Sequence, residues 1–311
     1  MRVYGQVGPS ASGVASTGTG TQPGFNVDTP RSDSLPIVIP DSLIKPLRNL
    51  VDDELQSRLD NIVASNQKLA RLAAANKIGI ALVDLRDPQN VKFARTNGSN
   101  MMYAASLPKI AILLAAMDAI EKGELQETPE VTNDMHLMIS RSNNAASTRM
   151  IDRLGYEKIS SVLQDPKYEL YDEEFGGGLW VGKRYAKSGG RNPDPLKGLS
   201  HAATATQVAR YYYLLAFGKL VSYERSKQML SIMTDPGIHH KFVNTLDSVA
   251  PRARLFRKSG SWRSYHSDSV LVWGPVWRRY ILVALVDDSE GEKILRQLML
   301  DVDRLLKPAA E

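Results

Sequence analysis

The stretch Tyr103–Ile120, YAASLPKIAILLAAMDAI, decides the fold of this 311-residue chain. Alanine, leucine and isoleucine fill it, and no charged residue stands between Lys109 and Asp118. Because a helix without a polar face is buried on all sides, we predict a core helix that starts at or just before Ser106. Pro108 is compatible with the first turn, where backbone N–H groups have no internal acceptor.

Ser106 and Lys109 stand at the start of this helix, three residues apart. Such a spacing puts two side chains on one face, so the hydroxyl lies near the amine at the positive end of the helix. A serine whose proton passes to a neighbouring amine is an activated nucleophile. The same S-x-x-K spacing occurs at Ser42–Lys45 and Ser65–Lys68, so the spacing alone favours a helix cap and a solvated lysine. The apolar helix that follows Ser106, together with two groups of polar residues later in the sequence, favours a catalytic role instead.

Composition limits the classes of function. Apolar residues make up 43% of the chain, enough for a large core, and no run reaches the length of a membrane span. The net charge is +5, and no basic block with interleaved aromatics predicts a nucleic-acid partner. Cysteine is absent, which excludes disulfides and thiol nucleophiles. The adjacent histidines His239 and His240 lack partners at ligand spacing, so we expect neither a metal nor a cofactor.

The chain divides into two regions. Residues 1–43 are rich in Gly, Ser, Thr and Pro without an apolar period, so we predict a disordered or loosely attached arm, followed by one domain over residues 44–311. The arm lacks the apolar core of a signal peptide. The chain is therefore expected to be cytoplasmic, or to have a signal upstream of this sequence.

Strand patterns at both ends of the domain predict a single sheet. Ile78–Leu85 and Val91–Asn97 form a predicted hairpin, and Arg254–Trp262, Ser269–Trp273 and Tyr280–Val286 are predicted to be antiparallel because their links are short. The segments between them are mostly helical. We therefore predict an α/β (α+β) sandwich, in which an antiparallel sheet of about five strands is flanked by helices, with a reduced all-helical subdomain.

Two further groups of polar residues carry candidate chemistry. Ser142 and Asn144 lie on or beside a helix, where a hydroxyl can relay a proton and a carboxamide can hold a carbonyl. A helix cap is the alternative. Lys258, Ser259, Gly260 and Ser261 lie within an apolar strand, and a glycine there lets a ligand approach the backbone closely.

Taken in order, the motifs S-x-x-K, S-x-N and K-S-G resemble those of the serine β-lactamases and penicillin-binding proteins. The resemblance covers the chain from about Ile44 to the C-terminus and implies the class A β-lactamase-like fold. It implies that Ser106 attacks a carbonyl and that Lys109 accepts its proton. Ser142 would pass a proton to the leaving group, with Lys258 adding positive charge near it.

The resemblance also implies how substrate is held. Asn144 would bind the substrate amide, and the strand residues Ser259, Gly260 and Ser261 would line the substrate. The backbone N–H groups of Ser106 and Ser261 would form the oxyanion hole.

The sequence departs from the class A pattern in three places. The segment between Ser106 and Ser142 is short, so we expect an open cleft. Glu169 follows a basic and an aromatic residue, as the deacylating glutamate does, but Glu173 stands where that motif has an asparagine, and an acidic surface loop is an equal alternative. The arginine expected on the second closing strand is absent, and Arg263 is a nearby substitute for binding a carboxylate.

We therefore predict a serine hydrolase that acts through an acyl-enzyme on Ser106, with β-lactam hydrolysis as the first assignment. A penicillin-binding DD-peptidase or an esterase with slow deacylation is the second, and a catalytically silent module that binds peptidoglycan or protein is the third. The expected partner is a small-molecule acyl donor, and we expect a monomer. The family resemblance implies a periplasmic or secreted location and a link to antibiotic resistance.

Trp180 and Tyr185 are predicted either to form a lid over the cleft or to belong to a packed surface loop.

Overall fold

A computed structural model describes residues 34–308 of the chain. Residues 1–33 of the predicted arm lie outside the described residues. Of the arm's last ten residues, Ile37 is buried, and its backbone N–H donates a hydrogen bond to the carbonyl of Ala216 at 2.7 Å. In the described part of the chain, no helix has both the length and the apolar character needed to cross a membrane.

Residues 34–308 contain ten α-helices. In chain order they are α1 (Asp53–Ser65), α2 (Gln67–Ala74), α3 (Lys109–Glu121), α4 (Pro129–Ser140), α5 (Asn144–Leu154), α6 (Tyr156–Gln164), α7 (Ala205–Ala216), α8 (Tyr223–Met233), α9 (Phe242–Val249) and α10 (Gly291–Leu306).

The same residues contain ten strands. They are β1 (Ile78–Asp84), β2 (Lys92–Thr96), β3 (Met102–Tyr103), β4 (Tyr171–Asp172), β5 (Gly177–Gly178), β6 (Trp180–Val181), β7 (His201–Ala203), β8 (Arg254–Trp262), β9 (Tyr265–Trp273) and β10 (Arg279–Asp287). The main sheet has the order β2-β1-β10-β9-β8 and is antiparallel throughout. A second sheet has the order β3-β7-β6.

The main sheet is covered on both faces, because successive side chains of a strand point to opposite sides. Along β1, Ile80 and Leu82 pack with the apolar residues of α1, α2, α9 and α10. Ala81 and Val83 pack on the other face, in the larger core that includes α3 to α8. The predicted sandwich with a five-stranded antiparallel sheet is confirmed.

Element boundaries differ from the sequence prediction at the start of the core helix. Met102 and Tyr103 form strand β3, and α3 begins only at Lys109, so Ser106 lies in the turn before the helix. Pro108 is the N-cap residue with φ −65°. The helix itself is buried on all sides as predicted, since each residue from Lys109 to Ile120 is buried.

A buried ion pair fixes the outer strands. Arg257 on β8 donates two hydrogen bonds to Asp268 on β9, with N–O distances of 2.7 and 2.9 Å, and both side chains are shielded from solvent. The Asp268 carboxylate also accepts a hydrogen bond from the backbone N–H of Phe242, the first residue of α9. One carboxylate thus links β8, β9 and α9.

We predict that Asp268→Ala lowers the free energy of unfolding by about 3–5 kcal/mol, because it leaves the Arg257 guanidinium buried without its counter-charge. Urea denaturation followed by circular dichroism measures the change. Asp60→Ala removes an exposed carboxylate whose one hydrogen-bond partner among the described side chains is Gln56, so this control should change stability by less than about 0.5 kcal/mol. Equal losses in both variants would contradict the prediction.

Candidate active site

Ser106 lies in a tight turn between β3 and α3. The turn begins with Ala105 at φ +51°, and the N–H of Leu107 donates to the carbonyl of Ala104 at 3.1 Å. The N–H of Ala104 is itself bound to the carbonyl of His201 on β7 at 2.9 Å. Ser106 is partly exposed between buried neighbours. The turn therefore presents the hydroxyl to solvent at the buried end of a rigid helix.

Lys109 is buried one turn after Ser106. Its Nζ donates to the Ser142 carbonyl at 2.7 Å, to Asn144 Oδ1 at 2.8 Å and to Ser142 Oγ at 3.3 Å. No hydrogen bond joins the side chains of Ser106 and Lys109 in the part of the chain that the structure describes. Burial lowers the pKa of the Lys109 amine to about 7, so a large fraction is neutral near pH 7 and able to accept a proton.

The S-x-N segment lies at the junction of α4 and α5, and its three residues have different contacts. Asn143 caps α5, because its side chain accepts a hydrogen bond from the N–H of Ala146 at 2.8 Å. Ser142, at φ +52°, and Asn144 are thereby left facing Lys109. The cap that the sequence offered as an alternative exists, but Asn143 forms it.

Lys258 reaches the same point from strand β8. Its Nζ donates to Ser142 Oγ at 2.9 Å and to the carbonyl of Ser259 at 2.7 Å. Burial, with the nearby positive charge of Lys109 added, holds the pKa of Lys258 well below its ordinary value. The hydroxyl of Ser142 thus stands between two buried amines.

Gly260 lets the edge of the main sheet contact the turn that carries Ser106. Strand β8 is the last strand of the main sheet, and a Cβ placed on Gly260 would lie 2.6 Å from the backbone nitrogen of Ser106. It would also collide with the carbonyl oxygen of Ala104. Only glycine fits this contact.

A cavity of about 840 Å³ opens above these groups. Ser106, Asn144, Ser261 and Arg263 line it, so four of the predicted site residues are brought together there. Lys109, Ser142 and Lys258 are not part of the lining and form the hydrogen-bonded group beside it. The side chain of Ser259 lies elsewhere, because its hydroxyl is 3.1 Å from His240 Nε2 on the other face of β8.

Glu169 does not join this group. Its carboxylate is bound by Arg48 at 2.9 Å and by Arg210 at 3.3 Å, and Glu169 does not line the cavity. Its buried neighbour Tyr168 accepts a hydrogen bond from the N–H of Val221. The segment that matches the deacylation motif is anchored to α7 by Arg210 and to the link between α7 and α8 by Val221, and the structure offers no geometric support for Glu169 as a base.

Lys241, which sequence reasoning missed, is buried behind strand β8. Its Nζ donates to the carbonyl of Gly260 at 2.5 Å, to Ser261 Oγ at 2.8 Å and to the carbonyl of Ser267 at 3.0 Å. Burial lowers the pKa of this amine to about 8. No motif marks Lys241, since only the pairing of β8 with β9 brings those acceptors together.

Two aromatic residues complete the site: Tyr185, between β6 and β7, and His201, on β7. The Tyr185 ring lies 4.4 Å from Lys109 Nζ, and its hydroxyl donates to the carbonyl of Ala105 at 3.2 Å. The His201 ring packs on Tyr185 with centroids 4.3 Å apart. Trp180, the other residue of the predicted lid, is buried and donates to the carbonyl of Asn192.

Solved structures of related fold are similar over most of the chain. A β-lactamase from Sphaerobacter thermophilus is 18% identical with a TM-score of 0.61, covering 80% of this chain and 95% of its own. A mutant of PBP-A, solved as an acyl-enzyme complex with penicillin G, is 21% identical with a TM-score of 0.60, covering 84% and 97%. The TLA-3 extended-spectrum β-lactamase is 15% identical with a TM-score of 0.61, covering 82% and 99%.

Sequence comparison gives the family. Among curated proteins no match was found. The profile described as "Beta-lactamase enzyme family" matches residues 55–135 and 128–306, which is most of the chain. The matched residues include the Ser106 turn, the S-x-N segment and strand β8. The chain therefore belongs to the β-lactamase enzyme family and is a serine β-lactamase-like hydrolase.

Proposed function

We propose that this hydrolase acts through an acyl-enzyme on Ser106 and that β-lactams are its substrates. The observation that carries the proposal is the hydrogen-bonded series of Lys109, Ser142 and Lys258 beside the partly exposed Ser106. A buried amine with a pKa of about 7 is suited to taking and returning a proton near neutral pH.

In the proposed acylation, the neutral amine of Lys109 accepts the Ser106 proton while Oγ bonds to the carbonyl carbon of the β-lactam. The bond between that carbon and the ring nitrogen then breaks. Lys109 returns the proton to the nitrogen through the Ser142 hydroxyl, which gives up its own proton as it receives one. Lys258 holds Ser142 Oγ in place by its 2.9 Å hydrogen bond.

The developing negative charge on the carbonyl oxygen is assigned to the backbone N–H groups of Ser106 and Ser261. The approach of Gly260 to the Ser106 turn supports this assignment, because it brings the two backbones together. Donors fixed in this way typically lower the barrier by about 2.7–4 kcal/mol each. Lys241 supports the strand from behind through Gly260 and Ser261.

A second candidate is an enzyme whose acyl-enzyme persists, as in a penicillin-binding peptidase or an esterase with slow deacylation. The pairing of Glu169 with Arg48 and Arg210 favours it, since this carboxylate is engaged away from the cavity. Rapid turnover would support a role in antibiotic resistance, and slow turnover a role in cell-wall chemistry. For either, we propose a periplasmic or secreted location, where these acyl donors are found.

We predict that benzylpenicillin adds its full mass to the protein and that Ser106→Ala abolishes the adduct, because no other nucleophile lies in the Ser106 turn. Intact-mass spectrometry measures the adduct. Ser65→Ala is the matched control, since Ser65 is an exposed serine with the same S-x-x-K spacing. An adduct that survives in Ser106→Ala would refute the nucleophile.

The lifetime of the adduct separates the two candidates. Return to the free mass within seconds, with release of the opened penicillin, would identify a β-lactamase. An adduct that persists would identify the slow-deacylating enzyme.

We predict that the acylation rate rises with pH through about 7 and levels off above it, because only neutral Lys109 accepts the Ser106 proton. At pH 6 the rate should be about one tenth of the plateau. Stopped-flow mixing with a chromogenic cephalosporin measures the profile. Lys109→Arg, whose side chain keeps its proton, should lose at least about a hundredfold in rate. A rate independent of pH from 5 to 9 would contradict the assignment.

We predict that Gly260→Ala slows acylation by about a hundredfold. The added methyl group would overlap the backbone of the Ser106 turn and so move the Ser106 hydroxyl out of its reactive position. The same stopped-flow assay measures it. Gly274→Ala, between β9 and β10, is the control, since a Cβ there meets only ordinary contacts of 3.4 Å or more. Unchanged acylation in Gly260→Ala would contradict the close approach.

A further inference from the structure

The loop that walls the cavity is rich in cations. Five residues of the cavity lining are Lys or Arg, and none of the described lining residues is Asp or Glu. The five are Lys183, Arg184, Lys187, Arg191 and Arg263. Arg184 is bound to Asp152 at 2.5 Å, outside the lining. The other four form no ion pair with any residue in the range 34–308.

Four of the five cations, all except Arg263, lie on one segment of chain whose two ends are held by backbone hydrogen bonds. The N–H of Gly182 donates to the carbonyl of Ser200 at 2.7 Å, and the N–H of Asn192 donates to the carbonyl of Gly182 at 2.8 Å. Lys183 and Arg191 pair as an antiparallel bridge between these bonds. The segment 183–191 is therefore a hairpin-like arm with a fixed base, and we call it the cationic arm.

Neighbouring groups respond to this charge. His201 lies under the arm with Nε2 3.0 Å from the Lys183 carbonyl. Burial, with the positive charges of Lys109 and Lys183 added, lowers the pKa of His201 to about 4. The imidazole is neutral at pH 7 and adds no charge to the cavity. No Asp or Glu among the described lining residues offsets the charge of the cationic arm.

Aromatic rings line the rest of the wall. Tyr103 and Tyr265 pack edge to face with centroids 5.4 Å apart, and Trp262 is 56% exposed at the end of β8. A tryptophan left this exposed beside a cavity provides an apolar contact for a ligand. The cavity thus combines cations that form no ion pair within residues 34–308 with exposed aromatic surface, and the Arg263 guanidinium lies 5.8 Å from the centre of the Trp262 ring.

The position of the arm indicates which part of the substrate it meets. Asn144 and Ser261, assigned to the substrate amide and the oxyanion, line the cavity, whereas Ser142 and Lys258, assigned to the leaving nitrogen, do not. Arg263, the substitute for the carboxylate-binding arginine, lines the cavity as well, so the cavity includes the acyl side of the reacting carbonyl without being confined to it. A cation there meets the group that stays on the enzyme.

We propose that the cavity selects acyl donors whose acyl group carries an additional carboxylate on an aromatic or apolar body, bound by Lys183 and Arg191 of the cationic arm. The proposal rests on acylation of Ser106. This carboxylate is part of the acyl group, which stays on Ser106. It is therefore distinct from a carboxylate on the leaving-group side of the reacting carbonyl.

A matched pair of penicillins tests the proposal. Benzylpenicillin and carbenicillin differ by one carboxylate on the side-chain carbon of the acyl group. Their second-order acylation rate constants, measured by intact-mass spectrometry, give a ratio that cancels changes common to both reactions. The double substitution Lys183→Met with Arg191→Met should lower the carbenicillin-to-benzylpenicillin ratio by at least about fivefold, the effect of one partly solvated charge pair.

The control removes the same net charge from another surface. Lys227→Met with Lys293→Met changes two exposed lysines on α8 and α10 and should leave the ratio as in the wild type. Raising the ionic strength from about 0.01 M to about 1 M should lower the wild-type ratio, because Arg191 is exposed to solvent and Lys183 is partly exposed.

Three results would overturn the proposal. If the substitutions in the cationic arm leave the ratio unchanged, the specificity proposal fails, while acylation of Ser106 still stands. A ratio lowered equally in the control assigns the effect to overall charge. Absence of any adduct, with both penicillins and with simple aryl esters, overturns acylation of Ser106 and the specificity proposal together.

Discussion

The site depends on the contact between the edge strand β8 and the turn that carries Ser106. Gly260 permits it, because any Cβ at that position would overlap the backbone of the turn. The contact sets the distance between helix α3 and the main sheet at the point where both carry functional groups. Lys258 on the strand and Lys109 on the helix then converge on one hydroxyl, that of Ser142.

Burial of three amines follows from this arrangement and determines their chemistry. Lys109, Lys241 and Lys258 are among the largest fully buried side chains of the described residues. Each is satisfied by carbonyl or hydroxyl oxygens, which compensates part of the cost of removing an ammonium group from water. Among residues 34–308 no carboxylate is in direct contact with Lys109 or Lys258, and burial lowers the pKa of both amines. The same burial that makes Lys109 costly to the fold keeps part of it neutral near pH 7, as the proposed role of a base requires.

The sequence predicted those parts of the molecule that rest on local patterns. The apolar run after Lys109, the hairpin of β1 and β2 and the three closing strands follow from periodicity and turn residues, and each is present. The order of the motifs predicted the family. Ser106 was placed one turn too deep in the helix, because the strand Met102–Tyr103 and the turn after it are fixed by pairing with β7 rather than by propensity.

Contacts between segments far apart in the chain were not predictable in this way. Glu169 matched a local motif, yet Arg48 and Arg210, which lie 121 and 41 residues away, determine where its carboxylate binds. Lys241 and His201 carry no motif, because the pairing of β8 with β9 assembles the acceptors of Lys241, and the pairing of β7 with β3 and β6 places His201. One measurement tests the account most directly, the NMR titration of the Lys109 ammonium group in the folded protein. The account predicts a pKa of about 7. A value near that of a solvated lysine would contradict it, because Lys109 would then be fully protonated and unable to accept the proton of Ser106.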